Sequence, residues 1–146
     1  MTGRKRQVIV DTGGRLLVLE VHAADISDTE GGKSVIRKLL ERYPTIRKIW
    51  VDRGYKQGLV DWARETYGVE VEVVQRESGA KGFVLEPRRW VVERSLAWYG
   101  RNRRLARDYE ALEASAEAFV YIASVRQLLN RVAPPPNRRK PYQNAA

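Results

Sequence analysis

The chain has no cysteine at all and a single histidine, His22. The first absence excludes a disulfide scaffold, a thiolate zinc site and a cysteine nucleophile. The second excludes a histidine-based triad or any site that needs several imidazoles, and His22 reads as a structural or surface residue. No run of apolar residues is long enough to span a bilayer. The opening "MTGRKRQVIVDTGG" passes from a basic cluster into a short strand and a Gly-Gly turn, which is not the pattern of a secretory leader. These absences make a cytoplasmic location, away from any membrane, the expectation. Acidic residues are also in deficit: 18 Asp and Glu stand against 27 Lys and Arg, leaving a net charge of +9.

That positive excess favours a polyanionic partner, because each phosphate neutralised by Lys or Arg releases condensed counterions. Anionic membrane surfaces and ribosomal RNA share the charge argument, and nucleic acid leads. With 146 residues, 43% of them hydrophobic, one domain with a sizeable core is the natural organisation. "RQVIVDTGGRLLVLEV" reads as a hairpin around Thr12-Gly13-Gly14, its two strands apolar on both faces and so covered on each side. "HAADISDTEGGKS" reads as a loop before a helix, "SVIRKLLERY", whose apolar stripe is Val35, Ile36, Leu39 and Leu40 and which Pro44 ends. "IRKIWV" is a buried-type strand stopped at Asp52, "GLVDWARETYG" a helix capped by Gly68, and "VEVEVVQ" an alternating strand. After a loop, "RESGAKGFVLEP", a long helix runs from about Arg88 to a break near Tyr109, and a final helix covers "SAEAFVYIASVRQLLNRV". Residues 1–132 form the expected domain, and the Pro-rich basic tail 133–146 is expected to be disordered. This order of elements predicts an α/β fold: a mixed sheet with flanking helices.

Chemistry concentrates at few positions. On a helical wheel Val92, Leu96 and Tyr99 form the core-facing stripe, flanked by Val91, Ser95 and Trp98. Arg89, Glu93, Ala97, Gly100 and Arg104 line up beside it, at its edge. Glu93 has two readings there. It is a salt-bridge partner of Arg89 or Arg94, or it is a metal ligand, for which the small Ala97 and Gly100 leave room. Asp52 follows the strand "IWV" directly, where open α/β sheets bind ligands, and is either a Mg²⁺ ligand or a turn-initiating residue. Asp11 reads first as a turn residue before Gly13-Gly14, and Asp25 and Asp28 as loop and capping residues. Trp50, Trp62, Trp90 and Trp98 are core candidates, with Trp90 off the stripe and able to stack on a base. The cluster Arg88, Arg89, Arg94, Arg101, Arg103, Arg104 and Arg107 is dense enough to favour phosphate binding over a solvated face.

The segments "GRKRQVIVDTGGRLLVLEVHAADISD", "IWVDRGY" and "AKGFVLEPRRWVVERSLAWYGRNRRLARDYE", with the apolar final helix, together resemble the bacterial insertion-sequence transposases of the DDE superfamily, the group numbered four and five. Arg89 and Glu93 reproduce that family's R-x-x-x-E spacing. The resemblance implies an RNase H-like fold and metal-dependent DNA cleavage and strand transfer with Mg²⁺ or Mn²⁺. Asp52 then matches the second catalytic aspartate and metal ligand, Glu93 the catalytic glutamate and metal ligand, and Arg89 a DNA-contacting arginine. Arg94, Arg101 and Arg104 are expected on DNA beside it, the partners being insertion-sequence ends and target DNA. Two positions depart from the pattern: Glu86 stands where a tyrosine is usual, and Gly100 where a lysine is. The family's first catalytic aspartate lies on a strand upstream of the segment that matches "GRKR". The expectation is therefore the C-terminal part of a catalytic domain, lacking the first strand and with little or no activity alone. The rival expectation is a non-catalytic DNA-binding or regulatory fragment that competes or oligomerises with a full-length transposase. A third is a minimal nuclease in which Asp11 replaces the absent aspartate.

Overall fold

A computed structural model of the chain describes residues 3–55, 57–74, 89–107 and 109–134, and for Gln57, Arg89 and Trp90 the backbone alone. Most of the expected tail, and the loop reading of residues 76–87, lie outside the described residues, as do Arg88 and the side chains of Arg89 and Trp90.

The elements follow the chain as β1 (Arg4–Val10), β2 (Leu16–Ala23), α1 (Asp28–Arg42), β3 (Lys48–Val51), α2 (Gln57–Tyr67), β4 (Glu70–Val73), α3 (Arg89–Gly100) and α4 (Glu113–Val132), with a 3₁₀ turn at Arg103–Leu105. This is the α/β architecture anticipated, of a type consistent with an RNase H-like fold. Its strand pairing is mixed in kind and divided in space: β1 and β2 form an antiparallel ladder, β3 and β4 a separate parallel one.

The hairpin forms because Asp11 Oδ1 accepts from the Gly13 and Arg15 amides (2.9 and 2.8 Å) and Gly14 takes φ +77°. That left-handed conformation is open to glycine at no steric cost. Successive residues of a strand face opposite ways, so the doubly apolar β2 serves two cores. Val18 packs into a cluster with Val35, Ile36 and Leu39 of α1, Leu59 of α2, Ile49 of β3 and Val71 of β4. Leu19 and Val21 face a second cluster with Tyr99, Leu105 and Ala116, Val120 and Ala123 of α4. The outer edge of β2 is closed by side chains: Lys38 Nζ donates to the Leu19 carbonyl (2.9 Å) and Glu117 Oε1 accepts from the Val21 amide (3.0 Å). A strand edge so occupied cannot template another chain. On β3–β4 the face away from the core is polar, with Lys48 bridging Glu70 and Glu72 (2.7 and 2.8 Å).

Two boundaries and one buried face differ from expectation. α1 starts at Asp28, six residues ahead of the predicted Ser34, because Ser27 Oγ caps the Glu30 amide (3.2 Å) and Asp28 and Glu30 complement the helix dipole. Gly31 and Gly32, which read as loop residues, are helical and lie where another element presses close. α3 ends at Gly100, well before Tyr109, so Arg104 leaves the stripe of Glu93. Asn102 Nδ2 donates to the carbonyls of Trp98 and Tyr99 (both 3.2 Å) and stops the helix there. Finally, the buried ridge of α3 is Val91, Ser95 and Tyr99, while Leu96, expected in the core, is 45% exposed. The helix is rolled so that its small buried residue, Ser95, meets the Gly14 turn.

A methyl group on Gly31 would collide with the buried His22 Nε2 and stand 3.0 Å from Gln7 Nε2. Gly31→Ala is therefore expected to cost about 1–3 kcal/mol by overpacking. Gly58→Ala, where a methyl meets nothing within 4 Å, should be neutral or stabilising. Urea unfolding midpoints of the two variants against the parent check the contrast.

Candidate functional site

Asp52 follows β3 and is exposed. Its Oδ1 accepts from the Gly54 amide (2.9 Å) and the Tyr55 amide donates to its carbonyl (3.3 Å), so the turn-initiating role is realised. That role engages one carboxylate oxygen only. A second carboxylate stands beside it: a methyl on Gly54 would lie 3.1 Å from Asp52 Oδ1 and 3.7 Å from Asp28 Oδ2. Gly54 thus keeps open the space that the two acids share. Lys5 Nζ ties down the other oxygen of Asp28 (3.1 Å) and donates to the Ile26 carbonyl (2.9 Å). Asp28 read as a capping residue in sequence; only the tertiary approach of the α1 start to the β3 end shows it as a neighbour of Asp52. The motif "DRGY" carried part of the signal, since a glycine two residues after Asp52 is what lets another acid approach.

Tyr55 anchors this corner. Its hydroxyl donates to Gln7 Oε1 on β1, and its ring packs against Gly32 of α1, where a methyl would stand 2.8 Å from Cε1. Burial first, and then the negative charges of Asp52 and Asp28, push the Tyr55 hydroxyl up to about 12. Behind it Gln7 and His22 are buried, with His22 Nδ1 2.9 Å from the Ala23 carbonyl oxygen. His22 is therefore structural, as its solitary status implied.

Glu93 is carried by α3. It is exposed on α3, on the side away from the Val91–Ser95–Tyr99 ridge rather than at the ridge's edge. Ala97 and Gly100 are exposed with it, and a methyl on Gly100 meets nothing within 4 Å. Of the expected stripe, Glu93, Ala97 and Gly100 share this exposed side, and Arg104 does not. The helix docks on the far end of β1 from Lys5: Ser95 Oγ donates to the Gly14 carbonyl (3.1 Å), and Arg94 and Arg131 both reach the Gly13 carbonyl (3.4 and 3.1 Å). Among the described residues α3 contacts β1, α4 and the 3₁₀ turn, and not β3. The Gly54 turn brings Asp52 together with Asp28, while Glu93 is carried by the separate helix α3. Among the described residues no three acids or histidines gather in a group able to hold a metal.

The arginines divide by role. Arg94 lies over the Trp98 ring at 4.8 Å, and Arg104 lies over Phe119 at 4.8 Å while its Nε donates to Glu110 (2.6 Å). Glu110 raises the Arg104 pKa further. Arg101 is exposed at the C-terminal end of α3. Asp11 is fully committed to the hairpin: burial pushes its carboxyl up, but hydrogen bonds from the Arg15 backbone and side chain and from Gly13 outweigh that and hold it low. Both carboxylate oxygens of Asp11 are thus engaged within the hairpin turn.

The transposase DDE domain family matches residues 1–128. The chain belongs to that family. No curated protein and no solved structure matches it. Transposition is thus the process this chain's fold serves, DNA the partner the family implies, and divalent metal the cofactor class it uses. No described helix of this transposase-family chain is long and apolar enough to cross a membrane.

The Tyr55 assignment is testable by its titration. Between the ordinary tyrosine range near 10 and the folded value of about 12, the unfolded chain loses its proton first, so stability falls across that interval. The ultraviolet phenolate difference between the parent and Tyr55→Phe is expected to titrate near the upper value. Replacing Asp28 and Asp52 by Asn should move that midpoint down. A midpoint at the ordinary value in the parent would contradict the packing of Tyr55 against both carboxylates.

Proposed function

We propose that residues 1–132 form a DDE-type catalytic domain of an insertion-sequence transposase of group four or five. Asp52 and Glu93 are its metal ligands, and Arg89, Arg94, Arg101 and Arg104 serve DNA. The observation that carries this reading is the family match over residues 1–128. The donor chemistry fits a hard cation: both side chains are exposed carboxylates, Asp52 uses one oxygen in its turn, and Mg²⁺ or Mn²⁺ takes oxygen ligands. A bound divalent ion supplies activation of a water or hydroxyl nucleophile and neutralisation of the leaving oxygen of the phosphodiester. The chain's own part is to hold the strand and fix the acids. Asp28 adds negative field beside Asp52, and Lys5 limits it by pairing one of its oxygens. In this reading Arg101, exposed at the end of α3, meets phosphates, while Arg94 braces α3 on the Gly13 turn and Arg104 stands over Phe119 of α4. Insertion-sequence ends and target DNA are the substrates in this reading, and the cytoplasm its location.

A second reading has an observation of its own. Among the described residues Asp52 and Glu93 belong to no group of three acids or histidines able to hold a metal, which suits a DNA-binding or regulatory fragment that pairs with a full-length transposase. Relaxation of supercoiled plasmid with Mn²⁺, measured beside DNA affinity, separates the two. The enzyme reading expects slow nicking that falls to background in Asp52→Asn and in Glu93→Gln, with DNA binding retained. No nicking by the parent, with Glu93→Gln binding DNA as tightly or more tightly, would overturn it in favour of the fragment.

A further inference from the structure

Arginines of α4 went unremarked in the sequence because they are spread along an otherwise apolar helix. In the fold they converge. Between the C-terminal end of α3 and the middle of α4 runs an open groove of about 340 Å³, lined by Trp98, Arg101, Arg126, Gln127, Asn130 and Arg131 among others, and among the described residues no carboxylate is in its wall. Three guanidinium groups therefore share one concave surface. Neither Arg101 nor Arg126 has an ion-pair partner among the described residues. Gln127 Nε2 is buried there without a hydrogen-bond partner among the described residues, a donor that asks for an acceptor.

We propose that this groove is a nucleic-acid backbone site, taking phosphates between the Arg101 end of α3 and the Arg126–Arg131 face of α4. The groove binds phosphate rather than reading bases. Of its two aromatic rings, Tyr99 is buried, and Trp98 is already covered by Arg94 at 4.8 Å and Arg131 at 5.2 Å, so it braces guanidinium groups and is not offered to a base. Guanidinium forks match phosphate oxygens in pairs. The carbonyls at the end of α3, which would repel an anion, are partly neutralised by Asn102. A membrane surface fits worse. The exposed Val125 and Val132 of α4 lie across the helix from Gln127 and Asn130, so a plane that meets these apolar residues leaves much of the groove uncovered, although Ile122 and Leu129 adjoin Arg126. The proposal rests on the DNA-handling role of the catalytic domain and extends it to a second wall that no catalytic residue touches.

The test is the salt dependence of affinity for a short labelled DNA duplex, followed by anisotropy, in duplexes of unrelated sequence. Each arginine that neutralises a phosphate contributes about one to the slope of log affinity against log salt. The double variant Arg101→Ala with Arg126→Ala should bind every duplex more weakly and lose about two from that slope. Arg64→Ala, which removes one exposed charge from α2, should leave the slope unchanged. A double variant with the parent's slope overturns the groove while the DNA-handling role stands. So does an equal loss in Arg64→Ala, which would mean that net charge alone acts, or a loss confined to binding of phosphatidylserine vesicles. A parent chain that binds no DNA overturns both the groove and the role beneath it. All the substituted side chains are exposed, and matching thermal transitions confirm that the fold is kept.

Discussion

The docking of α3 on the hairpin turn is the contact on which the functional surface depends. Gly14 sits at positive φ with Ser95 Oγ against it, where even a methyl group would come within 2.9 Å. The buried Ser95 hydroxyl donates to the Gly14 carbonyl, and the Gly13 carbonyl accepts from Arg94 and Arg131. Three side chains from two helices thus converge on two adjacent backbone carbonyls. A bulkier residue at either surface would lift the helix and rotate it. The roll of α3 follows from this close approach, and the roll decides that Glu93, Ala97 and Gly100 face outward.

The same contact sorts the chain's excess of positive charge. Arg94 and Arg131 are committed to the turn and to Trp98, and Arg104 to Glu110 and Phe119. At the other end of β1, Arg4 and Arg6 donate to the carbonyls of Ala111 and Leu105 (2.7 and 3.2 Å), holding the segment between α3 and α4 against the hairpin. Hydrogen bonds to backbone carbonyls by a cation stabilise more than neutral ones do. A basic composition here is therefore partly architectural. What remains for a polyanion is the smaller set, Arg101 and Arg126 above all, that the protein itself does not occupy.

Much of the architecture was legible from local pattern. The Gly-Gly turn, the doubly apolar strands, the Gly68 cap (φ +64°) and the four helices each rest on chemistry within a few residues. What escaped depends on distant partners. Gly31 and Gly32 look like loop residues until His22, Gln7 and Tyr55 are seen pressing on them. Leu96 looks like core because hydrophobicity marks it, whereas the turn at Gly14 selects the smaller Ser95 instead. Asp28 looks like a cap until Gly54 brings it beside Asp52. The Arg126–Arg131 face has no local signature, since its meaning comes from the end of α3 across the groove.

If the chain is a DDE-type catalytic domain, Asp52 in its Gly54 turn and Glu93 on its open stripe are two parts of one metal-handling centre. Their link is measured most directly by Mn²⁺ affinity, read from the electron paramagnetic resonance of free ion, in the parent, Asp52→Asn, Glu93→Gln and the double variant. Two ligands of one ion are strongly coupled, so each single change should remove most of the binding and the double change little more. Losses that simply add, or a Glu93→Gln chain with the parent's affinity, would show that the two carboxylates serve no common ion and would contradict a shared centre.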